Sequence, residues 1–168
     1  MKPRRSLLAL LVIPMLAGLA GCGKNDGEPA VATTPIEQLI KAGKAPVEVT
    51  SLSRSISPIA PTFTLKVTNV SDVPISALMG TVVYFDGDGK ALAGVTADSG
   101  YSDLSPIAPG RSIQLSIMTP EQKAVKGTWI LKDVLYEKPN PLGKNMGTLS
   151  FRWKNPNYAA EMAAEKAR

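Results

Sequence analysis

Histidine is absent from this chain, and cysteine occurs once, as Cys22. Without histidine, no Ser-His-Asp or Cys-His nucleophile system can be assembled. A single thiol forms no intrachain disulfide and no zinc or dithiol redox site of the usual type. No cofactor, metal or catalytic residue is therefore expected. Aromatic residues make up 5% of the chain, and the lysines and arginines are scattered rather than interleaved with them. That pattern is not a nucleic-acid footprint, and no nucleic-acid partner is expected. Long apolar runs are scarce as well. One lies near the N-terminus, from Ser6 to Leu19, and none of that length follows it. It is shorter than the roughly 20 residues that a spanning helix needs, and it contains Pro14, a helix breaker.

What surrounds that run gives it a meaning. Lys2, Arg4 and Arg5 precede it, and the small residues of Leu19-Ala20-Gly21 follow it. A charged, then apolar, then small-residue layout is that of a secretory signal. Leu19-Ala20-Gly21-Cys22 resembles the lipobox of bacterial lipoproteins. The resemblance implies a diacylglyceryl group on the Cys22 sulfur, cleavage before Cys22, and commonly a further acyl chain on the new N-terminus. Residues 1–21 are then a lipoprotein signal peptide and the lone cysteine is a lipid attachment point. The resemblance also bears on sorting, because an aspartate directly after the cysteine tends to retain such proteins at the inner membrane. Position 23 is glycine, so an outer-membrane anchor facing the periplasm is expected. Cleavage removes three cations and no acid. The mature side chains then carry 16 Lys and Arg against 14 Asp and Glu, a net charge of +2 rather than the +5 of the full chain.

The rest of the chain reads as one domain between two short ends. Residues 22–33 are polar and rich in Gly, Pro and Ala, as expected of a flexible tether. Thr34-Pro35-Ile36-Glu37 has the form of a capping box, with Pro35 as the first helical residue. Gly43 is a natural stop, so a helix of one to two turns is expected. Further on, Phe63, Leu65 and Val67 alternate with Thr64, Lys66 and Thr68, the period of two of a half-buried strand. Ile113, Leu115 and Ile117 repeat the pattern, as do Leu149, Phe151 and Trp153. The stretch from Ile75 to Asp86 becomes apolar on both parities, as in a strand covered on both faces. About seven such strands, separated by Gly, Pro, Asn and Asp turns and by no long amphipathic helix, predict an antiparallel immunoglobulin-like β-sandwich over residues 34–154. Lacking paired cysteines, its core must rest on aliphatic packing. Residues 155–168 are rich in Ala, Glu and Lys and read as a C-terminal helical tail, frayed and on the surface.

The central stretch from Leu65 to Leu92 also resembles the FxLYD family of bacterial envelope domains. The naming motif falls on Val82-Val83-Tyr84-Phe85-Asp86, where Asp86 matches and an aromatic residue precedes it. The resemblance implies an immunoglobulin-like, often lipid-anchored domain, and it brings no catalytic residues with it.

Each remaining candidate has a plain reading beside its functional one. Asp86-Gly87-Asp88-Gly89 suggests a calcium loop, but Lys90, Ala91 and Ala97 occupy positions where such a loop needs an oxygen ligand, glycine and glutamate. Asp-Gly between alternating runs is a hairpin signal. Asp98, Asp103 and Asp133 lie near strand ends and are candidates for carboxylate acid–base work; as turn or solvated aspartates they carry no activity, and the protein is not expected to be an enzyme. Trp129 and Trp153 could stack on a sugar, but both stand in alternating strands where core packing is the commoner role. Lys123, Lys126, Lys132, Lys138 and Lys144 form a weak basic cluster that reads as solvated surface. The expected function is that of a lipid-anchored, non-catalytic envelope protein. Its domain would bind another envelope component, foremost a protein through an open sheet edge, or otherwise a carbohydrate or lipopolysaccharide.

Overall fold

The computed structural model describes residues 29–56, 60–119, 121–143 and 146–168. Cys22, the signal-like segment and Lys144 lie outside the described residues. Seven strands and two short helices follow one another as α1 (Ile36–Lys41), β1 (Val47–Ile56), β2 (Pro61–Asn69), β3 (Ile75–Phe85), β4 (Ala91–Ile107), β5 (Ser112–Met118), β6 (Lys126–Pro139), β7 (Thr148–Lys154) and α2 (Tyr158–Lys166). They form two antiparallel sheets, one in the order β1-β2-β5 and the other in the order β4-β3-β6-β7. The chain is therefore an all-β sandwich in which β2 to β3, β4 to β5 and β5 to β6 cross between sheets, as the alternation of its strands predicts.

The inward faces supply the core. Phe63, Leu65 and Val67 of β2 meet Leu78, Val82 and Tyr84 of β3, with Leu131, Val134 and Tyr136 of β6 alongside. The stretch that is apolar on both parities is covered on both sides, as expected. Val83, Phe85 and Ile130 point away from the main core into a second cluster, where Tyr158 and Met162 of α2 pack on them. The tail is a surface helix with no buried residue, docked on the sheet rather than frayed. Two side chains suffice to dock it, helped by the Tyr158 hydroxyl 2.7 Å from the Thr81 hydroxyl. Asn155 positions it by donating from Nδ2 to the Leu131 carbonyl and to Glu161, at 2.8 and 3.0 Å.

The first helix begins differently from its sequence pattern. Thr34 does not cap it; its backbone N–H donates to Val70 O, and it bridges in parallel to Ser71. The Ile36 N–H instead donates to the carboxylate of Asp72 in the β2–β3 turn, at 2.9 Å. Glu37 is free of the cap and pairs with Lys138. The exit matches expectation: the N–H groups of Gly43 and Lys44 donate to the carbonyls of Ile40 and Leu39, a Schellman closure around a glycine at φ +66°.

The β2–β3 turn is tied together by Asn69, which is fully buried. Its Nδ2 donates to the carbonyls of Val73 and Ile107, and its Oδ1 accepts from the Ser71 N–H and hydroxyl. Its backbone also bonds to Arg111 O and to the Gly110 N–H. One amide thereby fixes the end of β2, the end of β4 and the start of β5.

Candidate functional site

Among the described residues, the three candidate aspartates do not form a cluster. Asp98 and Asp103 stand in β4 at positions whose side chains lie outside the described ones. Asp133 is on β6, with Met79 and Lys154 as its cross-strand neighbours. Since β3 separates β4 from β6, Asp133 sits two strand spacings from the other two aspartates, roughly 10 Å. The three are not brought together. Among the described residues, no three His, Cys, Asp or Glu residues are placed to hold a metal ion. The Asp86–Gly89 segment is the β3–β4 hairpin turn. Its Asp86 carboxylate accepts from the N–H groups of Asp88 and Lys90 at 3.0 and 2.9 Å, closing the turn on itself.

The basic cluster divides between two faces. Lys126 stands over the Phe85 ring and Lys132 over the Tyr158 ring, both on the outer side of the larger sheet. Lys138 stands 5.8 Å from the centroids of both Tyr136 and Phe151, on its inner side. The Lys138–Glu37 pair draws the glutamate pKa below its ordinary value and raises that of the lysine, the hydrogen bond between them being the chief cause.

Among the described residues, one groove of about 460 Å³, along a seam of the sandwich, has the shape of a binding site. Val47 and Val49 of β1 form one wall, and Glu161 and Ala164 of α2 form the other. Trp129 and Trp153 lie at its floor. Each indole is only 7% exposed, so they are core residues, and neither offers a ring face broad enough to stack on a sugar. The Trp129 ring lies across Gly80 of β3, where a Cβ would come within 2.4 Å of it. That glycine is what lets the ring lie flat in the seam.

The edges beside the groove are open. In the ladders, β1 pairs with β2 alone and β7 with β6 alone. The β7 ladder ends at Lys154, opposite Asp133, next to a register shift that leaves Lys132 without a partner on β3. Such a bulge turns the strand and re-aims its edge. The sequence pattern located Trp129 and Trp153 on their strands. The groove itself depends on α2 docking, which the tail's own sparse apolar residues do not indicate.

No family model matches the chain, and no curated protein matches it. Among solved structures, it is similar to a hypothetical protein of Peptoclostridium difficile 630, with a TM-score of 0.54 and 13% identity over 74% of this chain and 93% of that one. A weaker likeness, with a TM-score of 0.42 and 14% identity over 62% of this chain and 83% of the other, is to IrmA of Escherichia coli. The first of these likenesses shows the fold, an all-β sandwich of two antiparallel sheets.

Proposed function

We propose that this protein is a non-catalytic lipoprotein of the cell envelope, anchored through a lipidated Cys22 to the outer membrane and facing the periplasm. Its sandwich binds an extended segment of another envelope protein along the β1–β7 seam. The observation that carries the binding reading is the groove itself: a concave, largely apolar floor with the edge strand β1 as one wall and α2 as the other. Strand addition to such an edge draws affinity from main-chain hydrogen bonds, while adjacent pockets read alternate side chains. The anchor half of the reading rests on the lipobox pattern around Cys22 and on the net charge of only +2 that remains after cleavage.

A photo-crosslinking residue in place of Ala164, which is exposed on the groove wall, tests the binding half in whole cells. The same residue in place of Gln114, exposed on the β5 edge, is the control. A protein adduct from position 164 and none from position 114 is the expected result. A glycan or lipopolysaccharide adduct from position 164 would replace the protein partner with the alternative class. Equal adducts from both positions would deny the groove any special role.

A further inference from the structure

The two ends of the sandwich differ in their exposed apolar side chains. Of the nine large hydrophobic side chains exposed among the described residues, six lie at one end: Val31, Ile40, Leu142, Met146, Leu149 and Phe151. That end is defined by its hydrogen bonds. Val31 donates to Gly110 O in the β4–β5 turn, and Thr34 to Val70 O in the β2–β3 turn. Gly110 has φ +70°, and a Cβ there would strike the Val31 carbonyl oxygen at 2.6 Å, so the glycine leaves the arriving chain room to pass. Glu137 of β6 donates to Pro74 O in the β2–β3 turn. The β6–β7 hairpin therefore projects from the same end at which the N-terminal segment joins the domain.

Four of the six residues belong to that hairpin, and Leu142 and Met146, at 81% and 59% exposure, are the extremes. Leu142 is not placed there by a loose loop. Its N–H donates to the Asn140 side chain at 3.0 Å, and the Gly143 N–H donates to Asn140 O. A turn closed by its own polar groups presents its leucine outward. Lys138 stands behind it over the Phe151 and Tyr136 rings, its stem covering them while its ammonium group is paired with Glu37.

Val31 lies nine positions after Cys22. Even fully extended, this stretch spans at most about 30 Å. The 14-residue β6 alone extends roughly 45 Å. An anchor at Cys22 therefore cannot hold the domain inverted, with the β3–β4 turn down and the N-terminal end about 45 Å up, and it keeps the hairpin end within about 30 Å of the bilayer. We infer that the β6–β7 hairpin is a membrane contact, with Leu142 and Met146 dipping into the lipid interface and fixing the orientation of the domain on its anchor. This inference rests on the lipid-anchor reading. It does not add a second anchor: a single acyl chain already binds only marginally, and these few side chains offer less. What the contact does is limit how far the domain can tilt and turn on its anchor.

The experiment places a benzophenone amino acid at position 142, and separately at position 88 in the opposite turn, in the full chain in cells. Both residues are exposed, so folding is not at issue. Phospholipid adducts from position 142 and none from position 88 are the expected result. Protein adducts, or no adduct, from position 142 would overturn the contact. The mass of the peptide beginning at Cys22, read in the same digest, reports the anchor separately. Should Cys22 carry no lipid, the anchor reading fails. The hairpin is then tested by coupling a diacyl maleimide to that thiol and irradiating the chain on phospholipid vesicles, with the same two outcomes.

Discussion

Two buried polar residues show how differently the same fold treats a hydroxyl and an amide. The Tyr84 hydroxyl is buried with no hydrogen-bond partner among the described residues. Burial pushes its pKa up, and the Thr119 hydroxyl, which offsets part of this, does not reach hydrogen-bonding geometry. Tyr84→Phe is expected to be neutral or to stabilise by up to about 1 kcal/mol, since an unpaired buried oxygen is removed. The unfolded tyrosine ionises near pH 10, and the folded one only above it. The wild-type fold therefore holds its full advantage below about pH 10 and loses it as pH rises further, a loss that the phenylalanine variant escapes. Urea midpoints at neutral and alkaline pH measure both effects, and a clear destabilisation at neutral pH would mean the hydroxyl is bonded after all. Asn69 is the opposite case, with every polar atom of its side chain engaged. Asn69→Ala removes the side-chain donor to the Ile107 carbonyl and the acceptor of the Ser71 N–H, while the Val73 carbonyl keeps the Ser71 hydroxyl, and is expected to cost roughly 2–5 kcal/mol. Asn69→Asp replaces a donor facing two carbonyls with an acceptor and should cost at least as much. If the aspartate variant unfolds no earlier than wild type in urea, the amide is not the tie described. The sequence marked Asn69 as the start of a turn. That it would be buried depends on Ile107, brought in from 38 residues away, and no local pattern carries that.

Elements with a strong period were legible, and their ends were legible only where the partner is local. The alternation around Leu65 and Leu115 gave strands with the expected inward faces, because burial on one face of a sheet imposes a period of two. Gly43 ended α1 because the needed φ belongs to the residue itself. The start of α1 was misjudged because Asp72, 36 residues distant, supplies the acceptor that Thr34 was expected to provide. The tail was misjudged for a related reason. With only Tyr158 and Met162 as apolar residues it looked unable to dock. The outward-facing Val83, Phe85 and Ile130 provide the missing surface. The double-parity run around residues 82–85 was the available signal, since a strand apolar on both faces needs two covers. A chain ending at Asn157 is accordingly expected to fold but to lose roughly 1–3 kcal/mol through the apolar area re-exposed, and to bind a hydrophobic dye that the full chain does not. Unchanged stability without dye binding would show that α2 does not cover this face in solution.

At the scale of the molecule, the sandwich has a direction. One end receives the N-terminal segment and carries most of the exposed apolar side chains, and the groove runs along a lateral seam. If Cys22 is the anchor, removing it separates attachment from folding. A diacylglyceryl group supplies two chains, each buried methylene contributing about 0.8 kcal/mol, which is enough for durable attachment. The described part of the chain has no helix long and apolar enough to cross a membrane. Cys22→Ser is expected to block lipidation and the cleavage that depends on it, leaving an unprocessed form held loosely by its uncleaved signal or clipped elsewhere. A chain starting at Gly23 behind an ordinary secretion signal avoids that ambiguity. It should be released into the periplasm and unfold in urea at the wild-type midpoint, since no core residue precedes Ile36. Its fractionation after a salt wash decides the matter. Release leaves the hairpin as a contact that orients an anchored domain, whereas pelleting with membranes would mean that the domain holds the bilayer without Cys22 and that a single lipid anchor is the wrong picture.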